Sequence, residues 1–152
     1  MKIVVLKFGG TSVGSVERIK NITKIIIRYL KKRYKVIVVS SAISGETNKL
    51  VKLTKQISGN FTPSEYDSIV ATGEQISCSL IAGRLNDRGY LSRSWLGWQV
   101  PILTVGNHSH SRIVNVNKKN ILKFLRKGGT PIITGFQGIN SENRITTIGR
   151  GG

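Results

Sequence analysis

Cysteine, proline and acid are all scarce in this 152-residue chain: one Cys, three Pro, and seven Asp or Glu against 24 Lys or Arg. The lone thiol, Cys78, closes no internal disulfide, so the fold has to stand on an apolar core, and a reducing, cytoplasmic setting is expected. Few prolines and the absence of a glycine repeat exclude collagen-like and low-complexity chains. Long apolar runs are missing too. Ile25-Ile26-Ile27 and Ile3 to Leu6 fall far short of the roughly 20 residues of a membrane-spanning helix. Lys2 and Lys7 interrupt the opening segment too early for an apolar leader. What is there is 39% hydrophobic residues over a length that suits one domain with a sizeable core.

The shortage of acid leaves a formal charge of +17 and a pI near 10.6. Such charge first suggests nucleic acid, because basic surface attracts phosphate whatever its sequence. Here the bases are dispersed, with small clusters at Lys31-Lys32-Arg33, Lys118-Lys119 and Arg126-Lys127 near the ends of predicted helices. Cations there complement the helix dipole. No basic stripe alternates with aromatics and no zinc-ligand spacing occurs. The expectation is a solvated basic surface with no specific nucleic acid, salt-sensitive non-specific binding being the weaker alternative.

Patterning predicts an α/β chain. Ile3 to Phe8 reads as a buried strand running into a glycine loop. Ser15 then caps a helix whose apolar positions are Val16, Ile19, Ile22, Ile26 and Leu30. Val36 to Val39 is a second buried strand, and Leu50, Leu53 and Ile57 mark a second helix ended by Gly59. Pro63 to Gly89 reads as helix with a break near Gly73 and a buried face of Ile76, Leu80, Ile81 and Leu85. Pro101 to Val105 and Arg112 to Val116 are short strands around a polar loop, and Asn117 to Lys127 a short helix. Pro131 to Thr134 is a third buried strand, with Arg144 to Ile148 as one arm of a hairpin. Alternating strand and helix argues for a mainly parallel sheet with helices on both faces, a three-layer α/β/α sandwich.

Three strands thus end in small-residue loops, at Lys7 to Ser15, Ser40 to Asn48 and Gly135 to Gly138. In open α/β sheets ligands sit outside the carboxyl ends of the strands, so the three loops define one crevice. Glycines at 9, 10 and 14 let backbone N–H groups approach an anion, the next helix offers its positive end, and Lys7 adds a cation. The lysine precedes the glycines, so this is neither a Walker A loop nor a dinucleotide fingerprint. A plain glycine-rich turn with a solvated Lys7 is the competing reading. His108 and His110 suggest a metal pair, but no carboxylate or cysteine lies nearby in sequence to complete it. Trp95 and Trp98 read as packing, and Cys78 as a small core residue.

Lys7-Phe8-Gly9-Gly10-Thr11-Ser12-Val13 resembles the opening of aspartate kinases, within the amino-acid kinase superfamily. Val38 to Asn48, Ala71-Thr72-Gly73-Glu74-Gln75, Ser94 to Gln99, Gly135-Phe136-Gln137-Gly138 and Ile148 to Gly152 resemble further signatures of that family, in order. The resemblance implies ATP-dependent phosphorylation of the L-aspartate side-chain carboxylate to 4-phospho-L-aspartate, the first step towards lysine, threonine, methionine and diaminopimelate. It implies ATP with Mg2+, no metal ligand from the protein, and Lys7 neutralising charge on the transferring phosphoryl. Phe8, Gly9, Gly10 and Ser12 would lie beside the phosphates. Ser40, Thr47, Glu74, Phe136 and Arg150 would bind the amino acid: Thr47 by hydrogen bond, Glu74 on the ammonium, Arg150 on a carboxylate.

Each role has a structural alternative. Glu74 could complement a helix N-terminus, Thr47 could cap one, and Arg150 could be a terminal charge. The family pattern continues past Gly152 with Ser-Asp, and departs locally at Val105 and Ser111. The expectation is therefore residues 1–152 as the amino-acid-binding part of the kinase domain, without most of the nucleotide site and without regulatory domains. It would pair with itself or with a complementary kinase chain. The alternative is a non-catalytic remnant that binds aspartate or a partner chain.

Overall fold

β-Branched residues decide the centre of the fold. In the computed structural model, which describes residues 2–149, Ile3–Phe8 (β1), Lys35–Ser40 (β2), Ser92–Trp95 (β3) and Thr130–Thr134 (β6) form a parallel sheet in the order β1-β2-β6-β3. Alternation then assigns the faces. Val4, Leu6, Phe8, Val36, Val38 and Ile132 point to one side, against Ile19, Ile22 and Ile26 of α1 (Val16–Lys31) and Ile81 and Leu85 of α4 (Thr72–Asp87). On the other side Ile133 and Trp95 meet Ile121 and Leu125 of α5 (Lys119–Arg126). The three expected layers are present. Ser15 caps α1, its hydroxyl accepting the Arg18 N–H at 3.3 Å.

The remaining strands build a second, mixed sheet. Ile102–Val105 (β4), Arg112–Val116 (β5), Gln137–Ile139 (β7) and Ile145–Thr147 (β8) pair in the order β5-β4-β7-β8, with β4 and β7 parallel and the outer pairs antiparallel. The hairpin β7–β8 follows β6 directly and so carries the second sheet to the carboxyl edge of the first.

Three sequence expectations need correction. β1 is an edge strand and only half buried, with Ile3 and Val5 43% and 58% exposed. The predicted break near Gly73 is present: α3 (Pro63–Val70) and α4 meet at Ala71. On α4 the buried face is Ile81 and Leu85, with Cys78 one turn before; Ile76 and Leu80 are half exposed. At its N-terminal end the small buried residues Gly73 and Ser77 let α4 lie close to the loop after β2, while Ile76 and Leu80 fall outside. On α2 (Glu46–Ile57), Leu53 and Ile57 are likewise exposed and Thr54 is the buried residue.

Candidate active site

Three strand ends open into one cleft of about 600 Å³. β1 delivers Lys7, β2 leads into Ser41 to Gly45, and β6 leads into Gly135 and Phe136. The first turn of α2 adds Thr47 and Asn48, and that of α4 adds Glu74. Val100, Ile102, Ile113 and Val116 supply an apolar wall, and Ile148 and Gly149 close the rim after β8.

The loops fit together because two positions carry no side chain. A Cβ on Gly10 would stand 3.3 Å from the Ala42 carbonyl oxygen, so glycine lets the first loop lie on the second. The first loop is closed internally, Ser12 and Val13 donating to the Gly9 carbonyl at 2.9 and 3.3 Å, while the Arg18 guanidinium donates to the Thr11 carbonyl. A Cβ on Gly73 would approach the Ala42 Cβ to 2.8 Å. Without it, α4 comes near enough for the Ala42 N–H to donate to Glu74 Oε1 at 3.2 Å. Ser77 strengthens the same joint by donating to the Ser41 carbonyl at 2.7 Å.

Glu74 is the electrostatic centre. It is 3% exposed, and its second oxygen, Oε2, is buried with no hydrogen-bond partner among the described residues. Burial pushes its carboxyl from 4.5 up to about 7, against the pull of its own N–H and that of Ala42. An unpartnered buried acceptor is costly, and a cationic donor brought into the cleft would satisfy it and restore the ionised form. At the same cleft lie features suited to the opposite charge. α2 starts after Gly45, in a left-handed conformation (φ +84°), with no side-chain cap, so its amide end offers partial positive charge beside Lys7. A ligand with an ammonium and an anionic group meets complementary partners here.

The cleft brings together Lys7, Gly10, Thr47, Glu74 and Phe136 of the residues expected from sequence. Phe136 sits there with φ +65°, a conformation uncommon for a bulky side chain, and its carbonyl accepts the Ile148 N–H at 3.0 Å. Gly9 and Ser12 lie in the loop beside the cleft and not on its wall. The Phe8 side chain packs into the core on the α1 face, and Ser40 is fully buried with its hydroxyl donating to the Ser41 carbonyl at 3.2 Å. Arg150 lies outside the described residues.

Sequence reading missed Asp67. This fully buried carboxylate on α3 accepts from His108 Nδ1 at 2.7 Å, so the carboxylate absent from the local sequence arrives from 41 residues away. No three His, Cys, Asp or Glu side chains converge among the described residues, so the donor set does not fit a protein-held metal ion. Trp95 is packing, edge-on to Phe124 at 5.9 Å, while Trp98 is half exposed. Burial pushes the Cys78 thiol up to about 12, as suits an inert core residue. No helix among the described residues is long and apolar enough to cross a membrane.

Known proteins share this fold. The chain is 44% identical over 152 residues to an aspartokinase of Geobacillus stearothermophilus, covering all of this chain and 37% of that protein. The chain therefore spans under two fifths of that relative's length. The crystal structure of an aspartate kinase from Synechocystis superposes with a TM-score of 0.81 at 38% identity, over 100% of this chain and 25% of that one. The structure of E. coli aspartokinase III in complex with aspartate and ADP gives 0.86 at 22% identity, covering 100% and 44%, which at that identity speaks for the fold alone. The profile of the amino acid kinase family matches residues 2–152, nearly the whole chain. With the layered sheet and the cleft at its strand ends already in place, that match makes this chain a member of the amino acid kinase family.

Proposed function

We propose that this chain is the amino-acid-binding portion of an aspartate kinase, serving ATP-dependent phosphorylation of L-aspartate to 4-phospho-L-aspartate on the route to lysine, threonine and methionine. The observation that carries the reading is Glu74, whose unpartnered Oε2 in a partly apolar cleft asks for a cationic donor. The α-ammonium of aspartate is such a donor. Thr47 offers a hydroxyl to the same ligand, Phe136 packs along it, and Arg150 grips a carboxylate by its planar fork. Ser40 supports the loop from below.

The side-chain carboxylate of aspartate is already ionised at neutral pH, so it attacks the γ-phosphorus with no general base. One P–O bond forms to that carboxylate oxygen, the bond to the β,γ-bridging oxygen breaks, and ADP departs. What the chain contributes is alignment and charge neutralisation. Lys7 balances charge on the transferring phosphoryl, with the Phe8-Gly9-Gly10 backbone and Ser12 beside the phosphates. Magnesium would arrive with the nucleotide and screen its phosphate charge.

Binding of the amino acid is the part of that reaction that the residues of this chain serve. Pairing with a second copy or a complementary kinase chain is supported by the exposed apolar edge of β1. A cytoplasmic enzyme fits the lone reduced thiol. Calorimetric titration of the chain with L-aspartate and then with Mg-ATP tests the reading. Saturable aspartate binding, lost in Glu74→Ala and weakened in Thr47→Ala, is the expected result. A folded chain that binds neither ligand would sink it.

A further inference from the structure

Asp67 collects more hydrogen bonds than any site residue. Its Oδ1 accepts from Thr147 Oγ1 at 2.7 Å and Ser109 Oγ at 3.1 Å. Its Oδ2 accepts from the Thr147 N–H at 2.9 Å, the Ser109 N–H at 3.0 Å and His108 Nδ1 at 2.7 Å. Leaving a buried carboxylate oxygen unpaired is costly, and here both oxygens are used. The donors come from two segments that are far apart in sequence. Ser109 stands at φ +68° in the loop between β4 and β5, and Thr147 ends the three-residue strand β8.

What those segments carry is the rim of the cleft. Ile148 and Gly149 follow Thr147 directly and line the cavity that Glu74 lines. Ile148 also donates to the Phe136 carbonyl at 3.0 Å, and the Ser111 N–H reaches the Thr147 carbonyl at 3.1 Å. Asp67 sits on α3, joined through Ala71 to α4 and hence to Glu74; Gln137 Nε2 clamps that joint by donating to the Ala71 carbonyl at 2.8 Å. One carboxylate therefore ties the rim to the pair of helices that holds the buried acid.

We propose that Asp67 is a positioning residue that holds the Ile148–Gly149 rim in place against the Glu74 side of the cleft and so aligns the ligand that Glu74 binds. The first half stands on the geometry alone; the second rests on the aspartate-kinase reading. With the rim loosened, aspartate held at Glu74 loses alignment and binds less tightly.

The test uses Asp67→Asn, which keeps the shape and removes the charge, and Thr147→Val, which deletes one partner hydroxyl and leaves Asp67 intact. Amide hydrogen exchange on the 152-residue chain should quicken by about tenfold at residues 107–111 and 147–148 in both variants, the order expected for loss of one or two supporting hydrogen bonds. Amides of β2 and β6 should exchange as in wild type. Uniform quickening would reduce Asp67 to a general stabiliser, and unchanged exchange would remove it from any role; either overturns the proposal. Calorimetry with L-aspartate should show affinity weakened by about tenfold in both variants, as expected when a supporting shell is loosened. Local loosening with aspartate affinity unchanged would refute the aligning role. A wild-type chain that ignores aspartate would instead refute the kinase reading, and the exchange measurement would still decide whether Asp67 holds the rim.

Discussion

If Glu74 receives the ammonium of aspartate, affinity must follow its ionisation. Burial holds the free carboxyl at about 7, well above the 4.5 of an exposed glutamate. About one tenth of the chain is then ionised at pH 6 and about nine tenths at pH 8. Over this window aspartate itself keeps one ammonium and two carboxylates. The apparent affinity should therefore rise about tenfold from pH 6 to pH 8. Binding should release close to one proton at pH 6 and close to none at pH 8, which calorimetry in buffers of different ionisation enthalpy measures directly. Stability should move the other way. A carboxyl raised on folding adds stability that is fully present below about 4.5 and lost as pH rises through about 7, a swing of about 3 kcal/mol at about 1.4 kcal/mol per unit. Denaturant titration of wild type against Glu74→Gln should show that difference open between pH 5 and pH 8, with the Gln variant flat. A pH-independent affinity, or the same profile persisting in Glu74→Gln, would refute the reasoning.

Gly73→Ala should cost about 1–3 kcal/mol in thermal or chemical melts and also weaken aspartate, because the new methyl meets Ala42 at 2.8 Å and drives α4 from the loop that bonds Glu74. Cys78, fully buried with its thiol pushed up to about 12, should resist a thiol reagent at neutral pH and react only at the rate of unfolding; rapid labelling of the native chain would contradict its placement. Val5→Lys on the exposed edge strand should leave stability within about 0.5 kcal/mol and abolish any self-association seen by light scattering; if association persists unchanged, the β1 edge is not its seat.

What could be read in advance divides by how far apart the interacting residues lie. β2 and β6 carry their burial in their own composition, since Val36 and Val38 face one side, Ile37 and Val39 the other, and both sides are covered. β1 has the same composition and is half exposed, because an edge position depends on the absence of a neighbouring strand, which no local pattern encodes. The same limit explains α4. Ile76 and Leu80 have helical spacing as good as that of Ile81 and Leu85, and the face turned inward is the one that also carries Gly73 and Ser77, small enough to lie against Ser41 and Ala42. At the cleft, Lys7, Thr47 and Glu74 were legible because each sits in a short motif at a strand end or helix start.

Asp67 lies in no such motif. A carboxylate in the first turns of a helix reads the same whether it meets water or is sealed from it, and what seals this one comes from residues 41 and 80 positions further on. Yet the energetic difference between the two situations is large. A solvated aspartate on α3 could be replaced at little cost, whereas a fully buried one with five donors cannot lose its charge or its shape without releasing the rim of the cleft. Function at this site therefore rests on two buried acids in opposite states. Asp67 is saturated by the protein and fixes the frame, while Glu74 keeps an oxygen unsatisfied and so leaves a place for the ligand. Adding a protein donor to Glu74 would stabilise the fold and close the site, so on the proposed reading that costly deficit is where the ammonium of aspartate is received.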